Sequence, residues 1–120
     1  GNTAANRAGP EEVAEKTVEC FKRAVPATMP GVVFLSGGQS DEEATINLNA
    51  INQRAAVVGV PWQLSFSFGR GLQAAPLKAW SGQTDNVERA KQAFHHRAKL
   101  TGAARQGTYV PAMEKELSAV

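Results

Sequence analysis

Two short turns hold most of the residues in this chain whose types and spacing suit chemistry. The first is Ser36-Gly37-Gly38, which closes the apolar run Gly31-Val32-Val33-Phe34-Leu35. The second is Ser67-Phe68-Gly69-Arg70, which closes Gln63-Leu64-Ser65-Phe66. Small residues let backbone N–H groups approach an anion closely, and a helix that follows presents its positive end to the same anion. Arg70 adds a planar fork of donors of the kind that grips phosphate oxygens in pairs. Taken alone, the Ser36–Gly38 turn is better read as strand-to-helix punctuation, because glycine pairs are common in such loops. Two such turns in succession, the second ending in Arg70, read instead as one shared phosphate site.

The other reactive side chains invite blander readings. His95 and His96 are adjacent, so on a helix they point about 100° apart rather than along one face. No nearby Cys or His completes a zinc shell. Cys20 is the only cysteine, which excludes an internal disulfide and fits a reducing compartment. Beside Phe21, with no base in the neighbouring sequence, it reads as a small packing residue rather than a nucleophile. Trp62 and Trp80 read as packing anchors, and the cations from Arg89 to Arg105 as a solvated helix surface. Ser65 and Ser67 both suit the interior of a barrel, with Ser67 nearer the mouth.

Helices and strands must position the two turns. Gly9-Pro10-Glu11-Glu12 starts a helix, since Pro suits its first position and acids its positive end. Val13, Thr17, Phe21 and Val25 give it an apolar stripe, and Pro26 and Pro30 stop it near Val25. The Gly31–Leu35 run is too short for a helix and suits a parallel strand buried on both faces. Ser40 and Glu43 then form a capping box, opening a helix from Asp41 to Asn52 with Ala44, Leu48 and Ile51 inward. Gln53 to Val60 reads as a connection.

The second strand alternates, with Leu64, Phe66 and Phe68 on one face and Ser65 and Ser67 on the other. A short helix from about Leu72 to Trp80 follows, interrupted by Pro76, and Ser81-Gly82 breaks it. Thr84 suits the cap of a long helix to about Leu100, with Val87, Ala90, Phe94 and Ala98 as its buried stripe. From Thr101 onward periodicity fades, and Gly107 to Pro111 reads as extended chain over the surface.

The 120 residues amount to about one domain, and 42% apolar with 20% charged residues is an ordinary globular composition. A net charge of +2, with Lys and Arg scattered among acids, gives no reason to expect nucleic acid or a membrane surface as partner. No apolar run approaches the ~20 residues of a membrane span, and no charged-then-apolar leader supports secretion. Two parallel strands apolar on both faces need neighbouring strands and covering helices that this sequence does not supply. The expected fold is therefore α/β, the C-terminal part of a (β/α)8 barrel of roughly 250 residues or more, with strands at about 31–36 and 63–68. The opening Gly1-Asn2-Thr3-Ala4-Ala5-Asn6, which lacks an initiator methionine, fits the middle of a loop.

Longer strings carry a family resemblance. Val32 to Ala44, then Ile46-Asn47-Leu48-Asn49, closely resembles class I fructose-bisphosphate aldolase. Pro61-Trp62 through Arg70, Leu72-Gln73-Ala74 and Leu77-Lys78-Ala79-Trp80 are similar to that family's next strand and helix, and the register holds to Gln106-Gly107-Thr108-Tyr109. The resemblance implies reversible cleavage of fructose 1,6-bisphosphate to dihydroxyacetone phosphate and glyceraldehyde 3-phosphate, through a lysine Schiff base, with no metal and no cofactor. It also implies a cytoplasmic homotetramer with triose phosphates and the bisphosphate as its ligands. Ser36, Gly37, Ser67, Gly69 and Arg70 would bind the C1 phosphate, and Arg70 could also reach toward the other phosphate.

The family's imine-forming lysine stands in a Lys-Pro-Asn-Met-like string that is absent here. No catalytic residue is therefore assigned to this segment; that lysine is expected upstream. Val120 ends the sequence without the C-terminal tyrosine of many members, which places tail-dependent rate control in doubt. A non-catalytic phospho-ligand binding or scaffold fragment is the alternative reading.

Overall fold

A computed structural model describes residues 3–119, so Gly1 and Asn2 of the opening stretch, and Val120, lie outside it. Its elements in order are α1 (Pro10–Ala24), β1 (Gly31–Phe34), α2 (Asp41–Val58), β2 (Gln63–Phe66), α3 (Arg70–Trp80) and α4 (Val87–Arg105). Short 3-10 segments cover Thr84–Asn86 and Pro111–Ala119. β1 and β2 pair in parallel, with Val32 opposite Leu64, Val33 opposite Ser65 and Phe34 opposite Phe66. Both strands are shorter than expected, although Ser67 N–H still donates to Phe34 O at 2.8 Å past the ladder.

The helices cover one face of this sheet. One apolar cluster joins Ala14 and Val18 of α1 to Ile51 and Ala55 of α2 and to Trp62 and Leu64. Phe21 stacks on Phe34 at 5.6 Å and meets Trp62 edge-on at 6.3 Å. The stripe of α1 is thus centred on Ala14 and Val18, with Val13, Phe21 and Val25 on its flank. A second cluster joins Ala44 and Leu48 of α2 to Phe68, Leu100, Ala104 and Tyr109. Leu48 and Leu100 are fully enclosed, each stabilising the fold by about 2 kcal/mol.

Local signals hold best where they are chemically specific. Pro10 opens α1, and the Ser40 hydroxyl accepts from Glu43 N–H at 3.1 Å to cap α2. The box is one-sided, because the Glu43 carboxylate turns to Arg7. Ala44, Leu48 and Ile51 face inward as the spacing predicts.

Several expectations are corrected. α2 continues through 53–58, since Gln53, Arg54 and Ala55 are good helix formers and Ala55 is buried. It stops at Gly59, whose positive φ of 73° and N–H bond to Ala55 O at 2.9 Å close the helix. α3 starts at Arg70 and runs unbroken through Pro76. Thr84 makes no cap bond, and α4 begins three residues later and extends to Arg105.

The buried face of α4 is Ala93, Arg97, Leu100, Thr101 and Ala104, while Phe94 stays exposed. The expected stripe missed this phase because it counted Arg97 as surface. Cys20 is exposed, not packed. Trp62 is buried, with its indole N–H on Pro26 O at 2.9 Å, but Trp80 is 43% exposed.

Candidate functional site

Parallel pairing carries the C-terminal ends of β1 and β2 to the same end of the sheet, so the turns after them meet there. Three hydrogen bonds tie the turns together. Ser67 N–H donates to Phe34 O at 2.8 Å, Gly71 N–H to the Ser36 hydroxyl at 3.2 Å, and the Arg70 guanidinium to Gly37 O at 2.5 Å. A Cβ on Gly71 would stand 3.1 Å from Ser36 Cβ, closer than ordinary contact, so the approach of the two turns leaves no ready room for a side chain there.

Each expected site residue takes a distinct position. Ser36 is buried, its hydroxyl oxygen accepting from Gly71 while its own O–H remains a donor. Gly37 is exposed, with a φ of +56° that side-chain-bearing residues rarely adopt. Ser67, Gly69 and Arg70 are exposed at the same end. Ser65, opposite Val33, lies further down the strand and is half-buried.

The two following helices differ in electrostatics. α2 begins with Asp41, Glu42 and Glu43, and its first turn is capped by Ser40, so its positive end is already neutralised by its own side chains. α3 has no acid in its first turn, and its N-cap residue Gly69 offers no side chain, so the one side-chain bond there is the neutral Ser36 hydroxyl on Gly71 N–H. Its N-terminus therefore keeps its partial positive charge for an outside anion, next to the Arg70 cation.

Two residues that were given no role in the sequence shape the first turn. Gln39 donates to Ser36 O through its backbone at 3.1 Å and through its side-chain amide at 3.0 Å. Asn47 of α2 in turn donates to Gln39 Oε1 at 2.7 Å. The eight-residue spacing of this pair along the chain was the available signal, but only the turn geometry makes it meaningful. A cleft of about 560 Å³ opens beside Gly38 and Gln39, walled by Asn6, Arg7, Glu43 and Asn47. It neighbours the paired turns without including Ser36, Gly37, Ser67, Gly69 or Arg70.

All six lysines lie on helices or in the 3-10 segment, and none stands at a strand end. Among the described residues, no group of three His, Cys, Asp or Glu is placed to hold a metal ion. No helix among them is long and apolar enough to cross a membrane.

Comparison with known proteins decides the family. A family model for class-I fructose-bisphosphate aldolase, a glycolytic enzyme, matches residues 1–119. The chain belongs to the class-I fructose-bisphosphate aldolase family. It is 53% identical over 112 residues to the non-muscle type fructose-bisphosphate aldolase of Lethenteron camtschaticum, covering 93% of this chain and 30% of that protein. It is 60% identical over 104 residues to a cytoplasmic aldolase isozyme of Cicer arietinum, covering 86% and 28% respectively.

A crystal structure of Plasmodium falciparum aldolase, in complex with TRAP and a small-molecule inhibitor, aligns with a TM-score of 0.85 at 44% identity. That match covers 92% of this chain and 31% of the parasite chain. The chain thus spans about 30% of the length of these aldolases. Its two parallel strands and covering helices are two consecutive units of the aldolase (β/α)8 barrel architecture, as the sequence led one to expect.

Proposed function

We propose that this chain is the C-terminal segment of a single (β/α)8 barrel that cleaves fructose 1,6-bisphosphate reversibly into dihydroxyacetone phosphate and glyceraldehyde 3-phosphate. Its own contribution is the C1-phosphate site, formed by Ser36, Gly37, Ser67, Gly69 and Arg70. The observation that carries this reading is the tie between the two turns, through Gly71 and Ser36 and through Arg70 and Gly37. Exposed backbone N–H groups, an acid-free helix start and a guanidinium with further free donors converge there, which is what a doubly charged phosphate requires.

Holding the phosphate fixes the ketone carbon in front of a lysine supplied by the barrel outside these residues. That lysine forms an imine with the ketone and releases water. Loss of the C4 hydroxyl proton to a base then breaks the C3–C4 bond, and the bonding pair passes into the protonated imine. Positioning of this kind converts an encounter between two groups into an intramolecular step. The relatives named as cytoplasmic isozymes support a cytoplasmic setting, and a homotetramer is the assembly proposed.

The test is Arg70→Ala in a complete enzyme carrying this sequence. Its KM for the bisphosphate should rise and kcat/KM should fall about tenfold or more, the ~1.4 kcal/mol or greater expected on losing a charge-assisted anchor. An unchanged kcat/KM would overturn the phosphate assignment.

A further inference from the structure

We infer that Gln39 and Asn47 are positioning residues for phosphate, acting through the Ser36–Gly37 peptide without touching the ligand. The inference deepens the phosphate-site reading above and rests on it. Ser36 O accepts two hydrogen bonds from Gln39, from its N–H at 3.1 Å and from Nε2 at 3.0 Å. A peptide unit is planar and trans, so its C=O and N–H point in opposite directions. Clamping Ser36 O toward Gln39 therefore turns Gly37 N–H away from Gln39. The positive φ of Gly37 completes the turn and exposes the residue.

Both ends of the Gln39 amide are engaged inside the protein, Nε2 on Ser36 O and Oε1 on Asn47 Nδ2 at 2.7 Å. Oε1 and one Nε2 hydrogen are thus spent on the protein and one Nε2 hydrogen stays free, whereas Arg70 keeps several donors of its fork for an anion. Ser36 O can only accept, so it takes the nitrogen of Gln39, and Asn47 supports that orientation by donating to the oxygen left over. A carboxylate at position 47 could only accept, so Gln39 would turn end for end and set its oxygen against the Ser36 carbonyl. The relay thus links the body of α2, where Asn47 is half-buried, to one peptide plane in the turn.

The experiment is a mutant cycle of Gln39→Met, Asn47→Asp and the double variant, beside Arg70→Ala, in a complete enzyme carrying this sequence. Competitive inhibition by inorganic phosphate is read together with KM and kcat for the bisphosphate. Each single change should raise the phosphate inhibition constant about tenfold, with KM rising more than kcat falls. Asn47→Asp should cost little further in the Gln39→Met background, where no amide remains to be turned. Arg70→Ala with unaltered phosphate inhibition means that the site itself is misassigned. If Arg70→Ala weakens phosphate but Asn47→Asp and Gln39→Met do not, or if their effects simply add, the site stands and the relay is refuted. Asn47→Leu removes the same donor with little change of shape and no new charge, so a raised phosphate inhibition constant in it supports the relay, and an unchanged one refutes it, even if Gln39→Met folds poorly.

Discussion

A guanidinium with only 4% of its side chain exposed requires a carboxylate, and Arg97 finds Glu114 at 2.6 Å. It also donates to Thr45 Oγ1 at 2.7 Å and to Asp41 O at 3.2 Å, while its Nε has no hydrogen-bond partner and lies 3.8 Å from Asp41 Oδ2. Glu114 accepts in addition from the Tyr109 hydroxyl at 2.9 Å, so one carboxylate fastens the chain after α4 to the helices. Burial of Tyr109, then its hydrogen bond to Glu114 and the charge of that carboxylate, push its phenol well above the ordinary value of 10.0. The unfolded chain releases this proton near that ordinary value, and the folded chain holds it to higher pH. The contribution of Tyr109 to stability is therefore fully present below pH 10.0 and is lost as pH rises beyond it. Denaturation midpoints between about pH 8 and 11 should show this decline, and Tyr109→Phe should flatten it.

The elements explain how local chemistry becomes a site. α2 and α3 both follow strand ends, yet only α3 keeps its first turn free of acids. The phosphate reading then makes α3 the better anion helix, and its charge is open to test at Gln73, an exposed first-turn residue. In a complete enzyme, Gln73→Glu should weaken phosphate inhibition about two- to fivefold, the effect of ~0.3–1 kcal/mol at a helix N-terminus. The loss should shrink at high salt, because an exposed charge is screened. An effect of equal size at high salt would point to a steric origin instead.

The elements were also where the sequence was most legible. Pro10, Ser40 with Glu43, and the short apolar runs ending at Ser36 and Ser67 carry their instructions within a few residues. The end of α2 and the phase of α4 were misplaced. The first turned on tertiary burial of Ala55, and the second on a charged residue taking a core position.

For the whole molecule, the decisive feature is an asymmetric sheet. Helices cover Val32, Phe34 and Leu64, while Val33 is 60% and Leu35 74% exposed on the other face. Two strands also leave an unpaired edge on each side. Such apolar faces and open edges invite association. The 120-residue chain expressed alone should therefore bind an apolar-surface dye and self-associate, and Val33→Lys should reduce both. In a complete barrel the same substitution should destabilise the fold, because position 33 then faces packed side chains. Dye binding and sedimentation of the isolated chain, with denaturation of the whole enzyme, check the two halves of this prediction.

The sequence by itself determined the two strand-to-helix turns, their small residues and Arg70, the helix starts, and the need for more sheet than these strands provide. These depend on backbone sterics, capping and apolar periodicity, which act over a few neighbouring residues. Tertiary structure alone decided that Gly71 meets Ser36 across 35 residues, that Gln39 and Asn47 orient one peptide plane, and that Arg97 is core. The physical reason lies in desolvation. A polar or charged group can leave water only where partners from separate elements converge on it, and that convergence exists only once the chain has folded.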